Sequence, residues 1–333
     1  MDARTSNASE SLMLYRSLLL ALFACLAAVG AARAADDYPA RPIHLIIPFP
    51  PGGSNDVVGR VFANALSERL GQTLVVENRA GAGGVVGTEL AANAAPDGYT
   101  LLVISLAHAV NPWLYALKYD PIKAFAPIGI MASGTNVLVI NPTLPVRSVK
   151  ELVALAKAKP GELNYASAGI GSFQHLGGEL FKLAAGVNIV HVPFRGGGPA
   201  MLDVLAGNTK IMFSSLVQTT PYIRNGQLIA LGTGGAARSP VLPEVPTIAE
   251  AGVPGYQATN WWGILAPAGT PQAIIDKVHA ALAAAQDSPD TQKHLESEGA
   301  DVVRMSAAEF AAFMVSEMDK WGRVVKEGGI KAQ

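Results

Sequence analysis

From Ile43 onward one unit recurs: a short apolar, β-branched run, a glycine-rich turn, then a segment with helical spacing. "IHLIIPF" leads through Pro50, Pro51, Gly52 and Gly53 into "DVVGRVFANALSERLG". There Val57, Val58, Val61, Phe62, Ala65, Leu66 and Leu70 share one stripe, and Gly71 ends it. "TLVVEN", "YTLLVIS", "TNVLVINP", "LNYASAG", "NIVHVPF", "TKIMFSS" and "QLIALGT" are further strand-like runs. Helical segments stand between several of them: "GAGGVVGTELAANA", "SVKELVALAKAKPG" with Ser148 as N-cap and Gly161 past its end, "SFQHLGGELFKLAAG" and "GGGPAMLDVLAGN". The strand "YQATNWWGILAP" and helices over "PQAIIDKVHAALAAAQ" and "SAAEFAAFMVSEMDKWGRVVKE" complete the chain.

Strand, turn and helix in alternation demand a parallel sheet covered by helices. The predicted class is α/β with two lobes, each a mainly parallel sheet flanked by helices, and a ligand cleft between them. Crossings fall near 130–145 and 250–262. This gives a first lobe of 35–136 plus 257–333 and a second of 137–256, with the C-terminal helices returning to the first.

Ahead of this pattern, "LMLYRSLLLALFACLAAVGAARA" has Arg16 before an apolar run and ends on Ala32-Arg33-Ala34. That is the n-region, h-region and cleavage site of an export signal, so residues 1–34 are expected to be removed and the protein to be periplasmic. The apolar run is short for a membrane anchor; lipidation at Cys25 is a minor alternative. Cys25 is the single cysteine, so a chain cut after Ala34 has no disulfide, thiol nucleophile or Cys-based metal site. With 25 Lys+Arg against 26 Asp+Glu, no field favours nucleic acid. No feature asks for more than a monomer.

In an open α/β sheet, ligands sit beyond the carboxyl ends of strands. Glycine allows close backbone approach there, and the free N–H groups of the next helix attract an anion without any lysine or arginine. Three loops have this chemistry: Gly52–Asn55, Ser167–His175, and Phe194–Ala200 with Arg195 beside three glycines. "GAGGVVG" fails as a dinucleotide fingerprint, because Val86 stands where the third glycine is due. Ser172 and His175 are close enough in sequence for a nucleophile and base, although no G-x-S-x-G elbow is present; His175 and His191 lack zinc-pair spacing. One of Trp261 and Trp262 could cover a ligand, with its neighbour on the opposite face.

"PFPPGGSNDVVGR", "GQTLVVENRAGAGG", "APDGYTLL", "NYASAGIGSFQHLGGELF", "HVPFRGGGPAMLDVLAG" and "RSPVLPEVPTIAEAG" occur in this order. Together they resemble the Bug-type extracytoplasmic solute receptors of the tripartite tricarboxylate transporter system. From the residues themselves no cofactor or metal is expected; the resemblance implies a two-lobed periplasmic binding protein, type II-like. It would close on a small carboxylated molecule (a di- or tricarboxylate, aromatic acid or amino acid) and hand it to a membrane permease. It also implies ligand-binding roles for Phe49, Gly53, Ser54, Asn55, Ser105, His108, Gly171, Ser172, His175, Phe194, Arg195, Gly196 and Ser214. Asn55 stands where the family often has threonine, Val85 where it often has asparagine, and Lys210 and Ser214 where an acid is common; these departures bear on ligand identity. A serine-type hydrolase using Ser172 and His175, and a sensor signalling to a membrane partner, are the alternatives.

Overall fold

A computed structural model describes residues 38–327 and 329–331. The expected export segment 1–34, Cys25 included, lies outside them. No helix among the described residues is long and apolar enough to cross a membrane.

The chain opens with β1 (Ile43–Ile47), α1 (Ser54–Leu70), β2 (Leu74–Asn78), a 3-10 turn at Ala82–Gly84, α2 (Val85–Ala92), β3 (Thr100–Ser105) and α3 (Leu106–Leu114). A long β4 (Phe125–Ile140) follows, then α4 (Val149–Ala158), β5 (Asn164–Ser167), α5 (Phe173–Ala185), β6 (Val190–Pro193), α6 (Gly197–Ala206), β7 (Ile211–Ser215), α7 (Leu216–Arg224) and β8 (Ile229–Thr233). The last part holds β9 (Thr259–Pro267), α8 (Gln272–Gln286), α9 (Pro289–Ser297), β10 (Ala300–Val302) and α10 (Ala307–Glu327).

The strands follow the order β2-β1-β3-β9-β4-β7-β5-β6, with β8 and β10 also paired to β4. Two parallel trios, β2-β1-β3 and β6-β5-β7, form the ends of this path. Between them β9 runs antiparallel to β3, and β4 runs antiparallel to both β9 and β7. Each sheet is therefore mixed, with less parallel pairing than the alternation predicts. The cause is that the crossing strand and the returning strand both run against the trios. β4 pairs with β9 as far as Thr135 and with β7 from Asn136. At that same point Gly234 N–H donates to the Asn136 carbonyl (2.7 Å) and Asn136 N–H to that of Ala258 (3.1 Å).

Strand alternation sorts the core. Ile43, Leu45 and Ile47 join Val58, Phe62 and Leu66 of α1 on one face of the first sheet, while Ile46 joins the cluster of α3 and α10 on the other. The tryptophan pair divides as alternation requires. Trp261 packs with Phe310 and Trp321, and Trp262 with Val58 and Met131. Of the C-terminal helices, α8 packs on α1 and α10 on α3.

Two helices arise where the sequence gives no turn. β3 ends at Ser105 and α3 starts at Leu106; β7 ends at Ser215 and α7 starts at Leu216. Ser105 thus ends a strand, and His108 lies on the helix that follows it directly.

Candidate functional site

The carboxyl ends of the parallel strands bring helix N-termini to one place. A small inner chamber of ≈ 20 Å³ is lined by Gly53, Ser54 and Asn55 at the start of α1, Ser105 and Ala107 at α3, Ser172, Phe173 and Gln174 at α5, and Gly197 at α6. Phe49, Ala168 and Asn260 complete its wall. No lining side chain is charged; its polar groups are hydroxyls and amides. The first N–H groups of each helix lack intrahelical partners, and each N-terminus carries partial positive charge. Four such ends around a space large enough for about one water make a seat for a compact anionic group.

Several hydrogen bonds fix the seat. Gly53, the N-cap of α1, has no side chain to cap with, so Asp56 reaches back and its carboxylate accepts from Gly52 N–H at 3.1 Å. Gly52 needs a left-handed φ of 82° to make that turn. Asp56 also accepts from Arg60 (3.0 Å) and from Asn78 (2.9 Å), and Asn78 donates again to the Phe49 carbonyl. On the opposite wall Ser172 caps α5, accepting from His175 N–H at 3.3 Å. Because Asp56 is buried and ties three elements together, Asp56→Ala is expected to cost about 2 kcal/mol in denaturant unfolding. It should also weaken ligand binding by releasing the Gly52–Gly53 turn.

Asn55 Oδ1 is buried without a hydrogen-bond partner. A half-turn of χ2 exchanges the oxygen and nitrogen of the amide, and its NH₂ group would then offer an anion a donor.

His175 forms part of the scaffold. Its Nδ1 accepts from Gly171 N–H at 3.2 Å, its ring stacks on His191 at 4.0 Å, and its Nε2 is 3.9 Å from Glu179. Burial holds it neutral, its pKa pushed down to about 4. His191 is pushed down to about 3 by burial and then by His175, and its Nε2 meets Ser167 Oγ at 2.5 Å. Ser172 Oγ is thus engaged with the His175 backbone, and the His175 ring turns to Gly171, so Ser172 and His175 do not form the hydroxyl–imidazole pair that a nucleophile needs. His108 is likewise a packed residue. Its Nε2 donates to the Pro121 carbonyl at 2.9 Å, its ring meets Phe125 edge-on, and burial lowers its pKa to about 4.

Ser214 stands one layer behind the chamber. Its hydroxyl donates to Gln218 Oε1 (3.2 Å), and Gln218 Nε2 donates to the Gly197 carbonyl (2.6 Å), steadying the first turn of α6. Gly171 and Gly196 are backbone positions flanking the seat, each at positive φ. Lys210 lies before β7, at the far end of that strand from Ser214.

Outside the seat lies a larger cavity of ≈ 430 Å³, bordered by Phe49, Pro50, the Ala80–Gly84 turn and Tyr115 on one side, and by Ala168–Ile170, Pro193, Phe194 and Arg195 on the other. Phe49 and Ala168 border both spaces. Tyr115 OH donates across to the Ile170 carbonyl at 3.1 Å. Arg195 is exposed at this cavity and forms no ion pair with any described residue.

Sequence reasoning did not select the 80–84 turn, Tyr115, Gln174 or Asn260. The glycines of "GAGG", which fail as a dinucleotide fingerprint and belong to one block of the family resemblance, are a usable signal for this turn. Asn260 was detectable by alternation, since it shares a strand face with Trp262; its Oδ1 accepts from Leu106 N–H at 3.3 Å. Neither tryptophan lines either space: the indole of Trp261 donates to Glu317 at 3.0 Å, and Trp262 lies wholly in the core.

Residues 58–330 match the tripartite tricarboxylate transporter family receptor. The chain is 39% identical over 316 residues to protein BugT of Bordetella pertussis, covering 94% of this chain and 97% of that one. It is similar to the solved structure of the periplasmic binding protein BugD, with a TM-score of 0.85 and 34% identity over 89% of this chain and 100% of that one. It also resembles R. palustris Rpa4515 solved with adipate, at a TM-score of 0.87 and 35% identity over 89% and 100% of the two chains.

Proposed function

The chain belongs to the tripartite tricarboxylate transporter receptor family, and from that premise we propose that it is an exported, non-enzymatic receptor that captures a small organic carboxylate and delivers it to a membrane transporter. The observation that carries this reading is the inner chamber: four helix N-termini and six hydroxyl or amide side chains, with no charged group among them. One carboxylate sits in that seat, and the body of the ligand extends into the outer cavity between Phe49 and Phe194.

The two bodies that close on the ligand are residues 35–136 plus 257–333 and residues 137–256. The change of strand partner at Thr135 and Asn136, and the bonds joining Asn136 to Gly234 and Ala258, support a hinge there. A helix-end interaction contributes up to ~2 kcal/mol when partly buried, and micromolar affinity needs about 8 kcal/mol. Four such ends plus desolvation of the ligand body reach that range without a salt bridge.

Arg195, free of acidic partners at the outer cavity, favours a ligand with a second anionic group. A thermal-shift screen of mono-, di- and tricarboxylates, aromatic acids and amino acids tests the whole reading, because a ligand that binds only the native state raises Tm. Silence from every acid would refute it. Arg195→Ala is expected to weaken diacids about five-fold, the ~1 kcal/mol of an exposed ion pair, and to leave monoacids unchanged by calorimetric titration.

A further inference from the structure

Across the cleft the two walls meet glycine on glycine. The Pro50–Gly53 turn lies against the Gly196–Gly198 turn, so close that a Cβ placed on Gly198 would stand 2.6 Å from the Pro51 carbonyl oxygen. Real Cβ atoms do not tolerate that distance, and neither side can yield. Pro50 and Pro51 have fixed φ, and Gly198 lies in the first turn of α6, whose start Gln218 pins through the Gly197 carbonyl.

We propose that Gly198 is the residue that determines how far the cleft closes, its missing side chain being the clearance that lets the two anion-binding walls come within reach of one ligand. This rests on the binding reading above and adds a positioning role in which Gly198 need not touch the ligand. Other glycines of the seam are less clean. Gly196 has a φ of 132°, which a side chain disfavours whatever the space, and a Cβ on Gly197 would meet the Gln218 side chain of its own wall at 2.9 Å. Gly53 provides the contrast, because a Cβ there has only ordinary contacts at 3.7 Å with Gly197. Position 198 is thus where a single methyl group obstructs closure through the opposite wall.

Gly198 precedes Pro199, and a side chain before proline is disfavoured in helical conformation. The test therefore compares Pro199→Ala alone with Gly198→Ala/Pro199→Ala, beside the unaltered protein. Each is measured without ligand by thermal unfolding. Each is then titrated calorimetrically with whichever of malonate, adipate, citrate, benzoate and glutamate shifts the unaltered protein most, and the saturated protein is examined by small-angle scattering. We expect the double variant to keep its unliganded Tm, to bind at least about ten-fold more weakly (1.4 kcal/mol) and to compact less on saturation, with Pro199→Ala near the parent. Equal affinity and compaction in the double variant would overturn the role of Gly198 and leave the binding reading standing. A fall of its unliganded Tm relative to Pro199→Ala would assign Gly198 to the fold instead, also against the proposal. If no acid shifts the unaltered protein, the binding reading itself fails and the inference falls with it.

Discussion

Lowering the pH from 7 to 5 is expected to destabilise the protein by about 4 kcal/mol. His108 and His175 are buried and neutral, with pKa values pushed down to about 4 by burial, and His191 stacked on His175 is lowered further. In the unfolded chain these rings return to about 6.5. Between pH 6.5 and 4 the unfolded state therefore binds protons that the native state refuses, and stability falls as pH falls. The stability is complete above 6.5 and is lost through the window down to the native values. Each unit of displacement is worth about 1.4 kcal/mol per ring, so the two most buried rings account for about 4 kcal/mol at pH 5. That is a large part of a typical total of about 5–15 kcal/mol.

The groups facing His175 are Glu179, which opposes the shift, Lys182, which adds to it, and His191. Urea midpoints at pH 7, 6 and 5 measure the effect, and a flat profile would refute it. His108→Gln and His175→Gln should each reduce the slope. Protonating His175 also removes the acceptor for Gly171 N–H, so ligand affinity should decline over the same range. Glu77, held below the usual carboxylate range by its hydrogen bonds to Arg79 and then to His44, adds acid sensitivity only at lower pH.

Glu317→Ala should cost about 3 kcal/mol, the largest expected effect of any single substitution considered. Glu317 Oε2 accepts from the indoles of Trp261 (3.0 Å) and Trp321 (3.1 Å), and Oε1 accepts from Lys320 at 3.1 Å. Removing the carboxylate leaves two buried indole N–H groups without acceptors, each at a penalty of about 1–3 kcal/mol. Glu317→Gln retains one acceptor oxygen and should lose roughly 1 kcal/mol by the same reasoning. Denaturant unfolding followed by tryptophan fluorescence separates the two variants. Equal stability in Glu317→Ala and the parent would show that the indoles find other partners. The pair also locks α10 against β9, the strand that contributes Asn260 to the seat.

Much of the fold is legible in the chain because local rules decide it. Ser148 caps α4 through Glu151 N–H, Gly71 closes α1 in the left-handed region, and Ser172 caps α5. The first half of β4 is not legible, because Pro127, Gly129 and Gly134 interrupt the run "FAPIGIMASG". Two register shifts accommodate the irregularity once β9 lies alongside. Helices α3 and α7 are hidden by Pro112 and Pro221 and by the absence of any turn ahead of them. Their buried faces form only against other elements.

The amino-acid sequence by itself determined most of the strands and helices, though not the first half of β4 nor α3, α7, α9 and β10, where the glycine turns fall, and that helix N-termini would crowd the carboxyl ends of the strands; spacing, capping and φ preferences act over a few residues and can be read along the chain. Only the tertiary structure decided which amides face each other, that His108 and His175 support loops from within, and that glycines at 52–53 and 196–198 meet across the cleft. Those outcomes depend on through-space distances of a few ångströms, for the facing glycines between residues more than a hundred positions apart, set by how two sheets share one crossing strand.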